Sequence, residues 1–312
     1  MALPSKVKIR EVAPRDGFQS WPDFVPTNRK LEIIQAMIRA GVTEIEATSF
    51  VNPKAIPQMS DAIEVIKNVP RPGCNYCALV PNLKGAQMAL EAGTDEIAVF
   101  ISASEPHNMA NVRRNITDSM ADLNAIFGLA KDKAVPVIGA IVVAFGCPYQ
   151  GDVPVDAVFR LADAYLSRGA TAVILADTTG MATPPRIDGL VRAYKERFPN
   201  TSFGLHLHNN RGTAMANLYA ALEAGVNMFD TALGGIGGCP NVPHAAGNLP
   251  TEDVVYMLED IGVDTGIDLV AIIDAAHLLE KILGQILPGQ VMKSGPRDPE
   301  IASKICSAGH NL

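Results

Sequence analysis

Arg39-Ala40-Gly41 closes a helical pattern just ahead of the strand-like Glu44–Ser49. The same junction returns as Glu91-Ala92-Gly93 before Glu96–Ser102, Ser167-Arg168-Gly169 before Ala172–Asp177, and Ala224-Gly225 before Met228–Ala232. Glycine there suits the left-handed stop of a helix ahead of a short loop into a strand. The strands entered this way are the second, fourth, sixth and eighth. The odd ones, Val7–Val12, Asn75–Val80, Val137–Ala144 and Ser202–His208, are entered through proline: Pro4, Pro70 and Pro72, Pro136, and Pro199. The repeating unit is thus two strand–helix modules, used four times. Helical patterns fill the intervals, as in Asn28–Ala40, where Leu31, Ile34 and Ile38 recur at helical spacing behind Thr27 as the expected cap. Eight strands alternating with helices predict a parallel sheet, and eight is the number that closes a barrel. An open doubly wound sheet gives no reason for the odd–even alternation. The expected fold is therefore α/β, a (β/α)8 TIM barrel spanning 1–287 with a short C-terminal extension, 288–312. A Gly/Pro/Asn-rich loop, Gly234 to Pro250, leads to a helix from Thr251-Glu252-Asp253, and Asp268–Leu283 should close the barrel. The tail from Pro288 has little periodicity and suits a lid, a subunit contact or disorder.

With 312 residues, 48% hydrophobic and 19% charged, the composition is that of a globular protein with a large core. A net charge of −7 without a Lys/Arg run argues against a nucleic-acid surface and a polybasic membrane anchor. No apolar run approaches the ~18 residues of a membrane span. The first strand begins near Val7, which leaves no room for a targeting peptide, so a cytoplasmic location is expected. Five cysteines fit a disulfide framework badly. Cys74-Asn75-Tyr76-Cys77 has no second pair at zinc-finger spacing and runs into an apolar strand, so both read as structural thiols.

In a barrel of this type the chemistry sits where strands end. Ser202–Asn209 alternates as a strand, with Phe203, Leu205 and Leu207 on one face and Gly204, His206 and His208 on the other. Two imidazoles on one side, roughly 7 Å apart at ~3.3 Å per residue, can converge on one ion. Strand one ends in Arg15-Asp16-Gly17, strand two carries Glu46 and Thr48, strand six ends at Asp177, and the last loop offers Cys239, His244 and Asn248. Asp16, His206 and His208, with Asn248 as a weak amide-oxygen donor, make a mixed O/N site. A carboxylate plus a neutral carbonyl favours Mg²⁺ or Mn²⁺ over Zn²⁺, although imidazoles suit zinc as well. The alternatives are a turn carboxylate for Asp16 and a left-handed turn residue for Asn248. Arg15 suits an oxyanion or a carboxylate, or a salt bridge to Glu46 or Asp177. Glu46 and Asp177 are the candidate bases. Cys239, in Gly234-Gly235-Ile236-Gly237-Gly238-Cys239-Pro240, is a candidate nucleophile or general acid.

Longer stretches carry a resemblance. Glu11–Gln19 (EVAPRDGFQ), Glu46–Pro53 (EATSFVNP), Val80–Gly85 (VPNLKG), Gly146–Gly151 (GCPYQG), Asp177–Gly180 (DTTG) and above all Gly234–Glu259 (GGIGGCPNVPHAAGNLPTEDVVYMLE) resemble the 3-hydroxy-3-methylglutaryl-CoA lyase family over nearly the whole chain. The resemblance implies a divalent ion on Asp16, His206, His208 and Asn248, and Arg15 stabilising the enolate of a thioester. It implies Cys239 as proton donor to the enolate carbon, and Glu46 and Asp177 around the reacting hydroxyl. Gln19 is implied as a substrate contact. The products would be acetyl-CoA and acetoacetate, with a role in leucine degradation and a homo-oligomer, dimer or tetramer. The family usually reads His-x-His-Asp-Thr-Tyr-Gly, whereas here Asn209-Asn210-Arg211-Gly212 follows His208. Asn241 stands where Tyr is common, and Val142-Val143 where Ser-Cys is. Arg211 is thus a candidate substrate contact that would admit a related thioester such as citramalyl-CoA. Rival readings are an acyl-CoA condensing synthase of the isopropylmalate or homocitrate type, a metal hydrolase, and a non-catalytic acyl-CoA sensor.

Overall fold

Strands β1 (Lys8–Glu11), β2 (Glu44–Ser49), β3 (Asn75–Val80), β4 (Glu96–Ser102), β5 (Val137–Val142), β6 (Ala172–Asp177), β7 (Phe203–Leu207) and β8 (Met228–Thr231) pair in chain order. Every pairing is parallel, and β8 returns to β1, so the sheet closes into the expected (β/α)8 barrel. The structure is a computed structural model and describes residues 3–71, 73–238, 247–300 and 302–303. The connections carry α1 (Thr27–Arg39), α2 (Ala62–Asn68), α3 (Leu83–Ala92), then α4 (Glu105–Val112), α5 (Ile116–Ala121) and α6 (Leu123–Asp132) in one crossover. They continue with α7 (Val155–Leu166), α8 (Pro184–Arg197) and α9 (Ala214–Glu223), and α10 (Thr251–Asp260), α11 (Leu269–Leu283) and α12 (Val291–Ser294) follow β8.

The junction glycines behave as the repeat requires. Gly41, Gly93, Gly169 and Gly225 have φ of 98°, 90°, 90° and 83°, the left-handed region that ends a helix and turns the chain into the next strand. Thr27 is not a cap. Helix α1 is entered from Pro26, whose φ of −56° is already helical, and no side chain caps it. Thr27 Oγ1 instead donates to Asp61 Oδ2 at 2.9 Å, joining the buried Lys30 Nζ, which donates to Asp61 Oδ1 at 2.7 Å.

Alternation along the strands sorts side chains into two cores. Ile45, Ala47, Leu205 and Leu207 face outward into the layer formed with the helices. A smaller cluster, including Cys77, Leu79, Ala98, Ile138, Ile174 and Met228, fills the barrel interior. The thiols of Cys74 and Cys77 are unpaired, and burial pushes them up, Cys74 to about 12, which suits structural rather than reactive cysteines. The interior also takes charge: Arg10, Glu46, Glu96, Asp230 and His206 are all buried. Register between β2 and β3 slips between Glu46 and Thr48, a bulge of the kind that re-aims a side chain beside a site.

The chain after β8 is fastened to the end of β1. Glu11 accepts from the backbone N–H of Ala13 and Leu233 and, at 2.5 Å, from Thr251 Oγ1. Glu252 accepts from Gly234 N at 3.1 Å, and Asp253 accepts from the N–H groups of Gln290 and Val291. Gly289 N donates to Gly234 O, and His277 Nε2 lies 2.6 Å from Met292 O. Residues 287–292 are thereby laid along α10 and α11 and against the root of the loop after β8.

Burial raises Glu11 to about 7 and, with Asp253 and then Glu11 beside it, raises Glu252 to about 8. A buried carboxyl that stays protonated to higher pH when folded binds more protons folded than unfolded. Stability must then fall as pH climbs from the unfolded value, about 4.5, through the folded ones. Thermal melts should show a midpoint that declines between pH 5 and pH 9, and Glu252→Gln should flatten the decline by stabilising the alkaline end. A wild-type midpoint that rises over this range contradicts the assignment.

Candidate active site

Asp16 owes its position to an unusual turn. Directly after β1 the chain makes a π-helical turn over Ala13–Gly17, in which the N–H groups of Asp16 and Gly17 both reach Val12 O. Such single π turns commonly mark functional sites. It swings the carboxylate over the barrel mouth, where Asp16 Oδ2 lies 3.5 Å from His208 Nε2. His206 projects inward from β7, and His208 sits just past the strand in an antiparallel bridge with Asn248. Asn248 Nδ2 donates to Asp16 Oδ2 at 2.7 Å and to Ile236 O at 3.1 Å. The left-handed residue of that turn is Gly247, with φ of 77°, and not Asn248. Gly237, at φ of 113°, passes so close that an added Cβ would collide with Asn248 Nδ2 and press on Asp16. Only glycine lets the loop cross there.

The donor set can be tested for a cation on its own hydrogen bonds. His206 Nδ1 faces Asp230 Oδ2 at 3.3 Å and His208 Nδ1 faces Thr178 O at 2.7 Å. Both partners are acceptors, so both Nδ1 atoms carry a proton, and a neutral ring presents its lone pair at Nε2. Those Nε2 atoms lie 2.9 Å apart, with the rings tilted 60° to one another. At that separation the two nitrogens share one positive charge, a proton or a metal ion; burial opposes charge on His206, but Asp230 and then Asp16 raise its proton affinity. The ligand atoms of Asp16, His206 and His208 fall within 4.8 Å of one another. Among the described residues no donor reaches the buried Asn248 Oδ1. Two imidazole nitrogens, a carboxylate and an orphaned amide oxygen fit a divalent cation. Burial alone would raise Asp16; the Arg15 guanidinium reverses this and holds it well below the usual carboxylate range. Asp16 is therefore ionised, as a ligand must be.

Arg15 bridges two acids: Nε donates to Glu46 Oε2 and Nη1 to Asp16 Oδ1 at 2.5 Å. Of its two expected bridges, the structure forms the one to Glu46. Glu46 is buried inside the mouth, and burial raises its proton affinity against the opposing pull of Arg15. Asp177 is also raised by burial, but its carboxylate turns back to accept from the N–H groups of Met181 and Ala182. Gln19 is half-buried, and no described donor reaches its Oε1. Arg211 is exposed at the rim, and its Nη1 donates to the carbonyls of Thr179 and Gly180. Cys239, Asn241 and His244 lie outside the described residues. Two residues missed from sequence stand directly behind the site, Asp230 and Arg10. Their signal was available in the alternation: each follows an apolar residue of the outer face, Ile9 or Phe229, and so faces the barrel interior.

A family profile described as HMGL-like matches residues 6–279. The hydroxymethylglutaryl-CoA lyase YngG of Bacillus subtilis is 42% identical over 298 residues, covering 94% of this chain and 100% of that one. An (R)-citramalyl-CoA lyase of Chloroflexus aurantiacus is 40% identical over 308 residues, covering 95% and 97%. Among solved structures, an HMG-CoA lyase of Acinetobacter baumannii in complex with coenzyme A and 3-methylmalate superposes with a TM-score of 0.92. It is 41% identical and covers 96% of this chain and 98% of its own. With the fold, the strand-end residues and these relatives in agreement, the chain belongs to the HMGL-like family of carbon–carbon lyases.

Proposed function

We propose that the chain cleaves 3-hydroxy-3-methylglutaryl-CoA to acetyl-CoA and acetoacetate, a reaction that suits leucine degradation, with Mg²⁺ or Mn²⁺ as the working ion. The observation that supports this most is the convergence of the two Nε2 atoms, Asp16 and the orphaned Asn248 oxygen, with Arg15 and Glu46 alongside. A divalent ion held there supplies Lewis acidity to the tertiary hydroxyl and a neighbouring oxygen of the substrate. Glu46 takes the hydroxyl proton. Its buried carboxyl has a raised proton affinity, as a general base near neutrality needs, whereas the oxygens of Asp177 are committed to its own turn. The O–H electron pair becomes the ketone C=O, and the carbon–carbon pair moves onto the methylene carbon of the thioester. Arg15, already fixed between two acids, balances the negative charge that develops on the thioester oxygen. The Cys239 thiol returns a proton to that carbon; in sequence it stands two residues beyond Gly237, which touches Asp16 and Asn248.

The Arg211 contacts support a bracing role for that side chain between the loops after β6 and β7, over selection of a different acyl group. A cleavage panel should therefore give a kcat/KM for 3-hydroxy-3-methylglutaryl-CoA at least about tenfold above that for citramalyl-CoA. The reverse order moves the proposal to the second thioester. Exhaustive chelation should abolish turnover, and Mg²⁺ or Mn²⁺ should restore it; turnover that survives chelation rules out the ion. His206→Ala and Cys239→Ala should each lower kcat by about 10²–10⁴-fold with an unchanged melting midpoint. Full activity in Cys239→Ala would remove its proton-donor role. Incubation with acetyl-CoA and a 2-oxo acid should release no free thiol, which separates the lyase from a condensing synthase.

A further inference from the structure

Beneath the cation site the barrel interior holds charged groups that the chemistry above leaves without a task. Arg10 on β1 is the ladder neighbour of Asp230 on β8, and Asp230 is the ladder neighbour of His206 on β7. All three are buried. The two oxygens of Asp230 face different ways: Oδ2 lies 3.3 Å from His206 Nδ1, and Oδ1 lies 3.9 Å from Arg10 Nε. Arg10 Nη2 is in turn 3.8 Å from Glu96 Oε2 on β4. These separations attract without close hydrogen bonds, and among the described residues Arg10 Nε and Asp230 Oδ1 have no hydrogen-bond partner. Burying a guanidinium costs several kcal/mol, so stability is a poor reason to keep one beside Met228 and Cys77.

We propose that Arg10 and Asp230 are a positioning pair that fixes the tautomer of His206. As an acceptor at Nδ1, Asp230 keeps a His206 proton there and leaves Nε2 for the cation. Arg10, facing the other oxygen, holds the carboxylate in that orientation. The inference rests on the cation-site reading and deepens it. Replacing the carboxylate by an amide separates the two duties. In Asp230→Asn the amide oxygen turns toward Arg10, which can only donate, and the amide N–H₂ is left facing His206. A donor at that place demands an unprotonated Nδ1, and the proton moves to Nε2, where it blocks the ion. With Arg10 also removed, the amide is free to rotate and offer its oxygen to His206.

The test is Mn²⁺ binding to the full chain, read by the electron paramagnetic resonance signal of free Mn²⁺, with thermal melts to verify folding. Asp230→Asn should weaken binding by about 10–100-fold. The double variant Arg10→Met/Asp230→Asn should bind at least about threefold tighter than Asp230→Asn alone, a non-additivity expected of groups that act through one another. Wild-type affinity in Asp230→Asn, or a double variant no tighter than the single one, overturns the proposal while leaving the cation site standing. A wild-type chain that binds no Mn²⁺ fails the cation-site reading itself and takes this proposal with it. Should the double variant not fold, imidazole ¹⁵N spectra of the metal-free single variant decide. The His206 proton must shift from Nδ1 in the wild type to Nε2, and an unmoved proton refutes the pair.

Discussion

Two imidazole nitrogens 2.9 Å apart, His206 Nε2 and His208 Nε2, are the constraint around which the rest of this mouth is organised. Nothing in a barrel scaffold requires them to face each other. They do so because each ring is anchored at its far nitrogen by an acceptor, Asp230 for one and the Thr178 carbonyl for the other. The contact calls for a positive charge, a proton or a cation, and the surroundings are arranged to welcome it. Asp16 is held ionised by Arg15, Asn248 spends its N–H groups on Asp16 and Ile236 so that its oxygen stays open, and Gly237 brings the loop to within touching distance. A site like this is incomplete electrostatically without a guest, which is what a binding site for a dication should be.

The interior of the barrel carries the cost. Its apolar cluster is small, and the space is shared with Arg10, Glu46, Glu96, Asp230 and His206. Each buried charge opposes folding by up to several kcal/mol after its partners are counted. The outer layer offsets this, because it contains dozens of fully covered Ile, Leu, Val, Phe and Met side chains. Each contributes about 1.5–3 kcal/mol relative to exposure. Stability and chemistry are thus separated radially, with the strand faces that meet the helices holding the fold and the inward faces free for polar work.

Much of this was legible before any coordinates. The odd–even alternation of glycine and proline entries reported the barrel, because a helix-to-strand turn needs a left-handed residue whatever the neighbouring side chains are. Asp16, His206, His208 and Asn248 were legible because polar residues at strand ends converge once the sheet closes. The cap of α1 was misread, since Pro26 already supplies the helical φ and Thr27 is drawn off by Asp61. Arg10 and Asp230 escaped notice because strand periodicity says which face a residue occupies but not that barrel closure makes the first and last strands ladder neighbours. The π turn that aims Asp16 has no one-dimensional signature, and neither has the commitment of Asp177 to its own backbone. Both depend on where the chain goes next.

The closure of the barrel has a consequence for how the molecule comes into being. β1 shares four ladder positions with β8 and only one with β2, its neighbour in sequence. Asp16 and Asn248, bonded to each other at the mouth, are separated by 232 positions in the chain. At ordinary elongation speeds roughly 10–50 s pass on the ribosome between the emergence of one and the other. During that time the first strand has no proper seat, and the metal has nowhere to lodge. The bond between Asp16 and Asn248 must therefore wait for the nascent polypeptide to be nearly finished, and a product lacking the last loop could never form it.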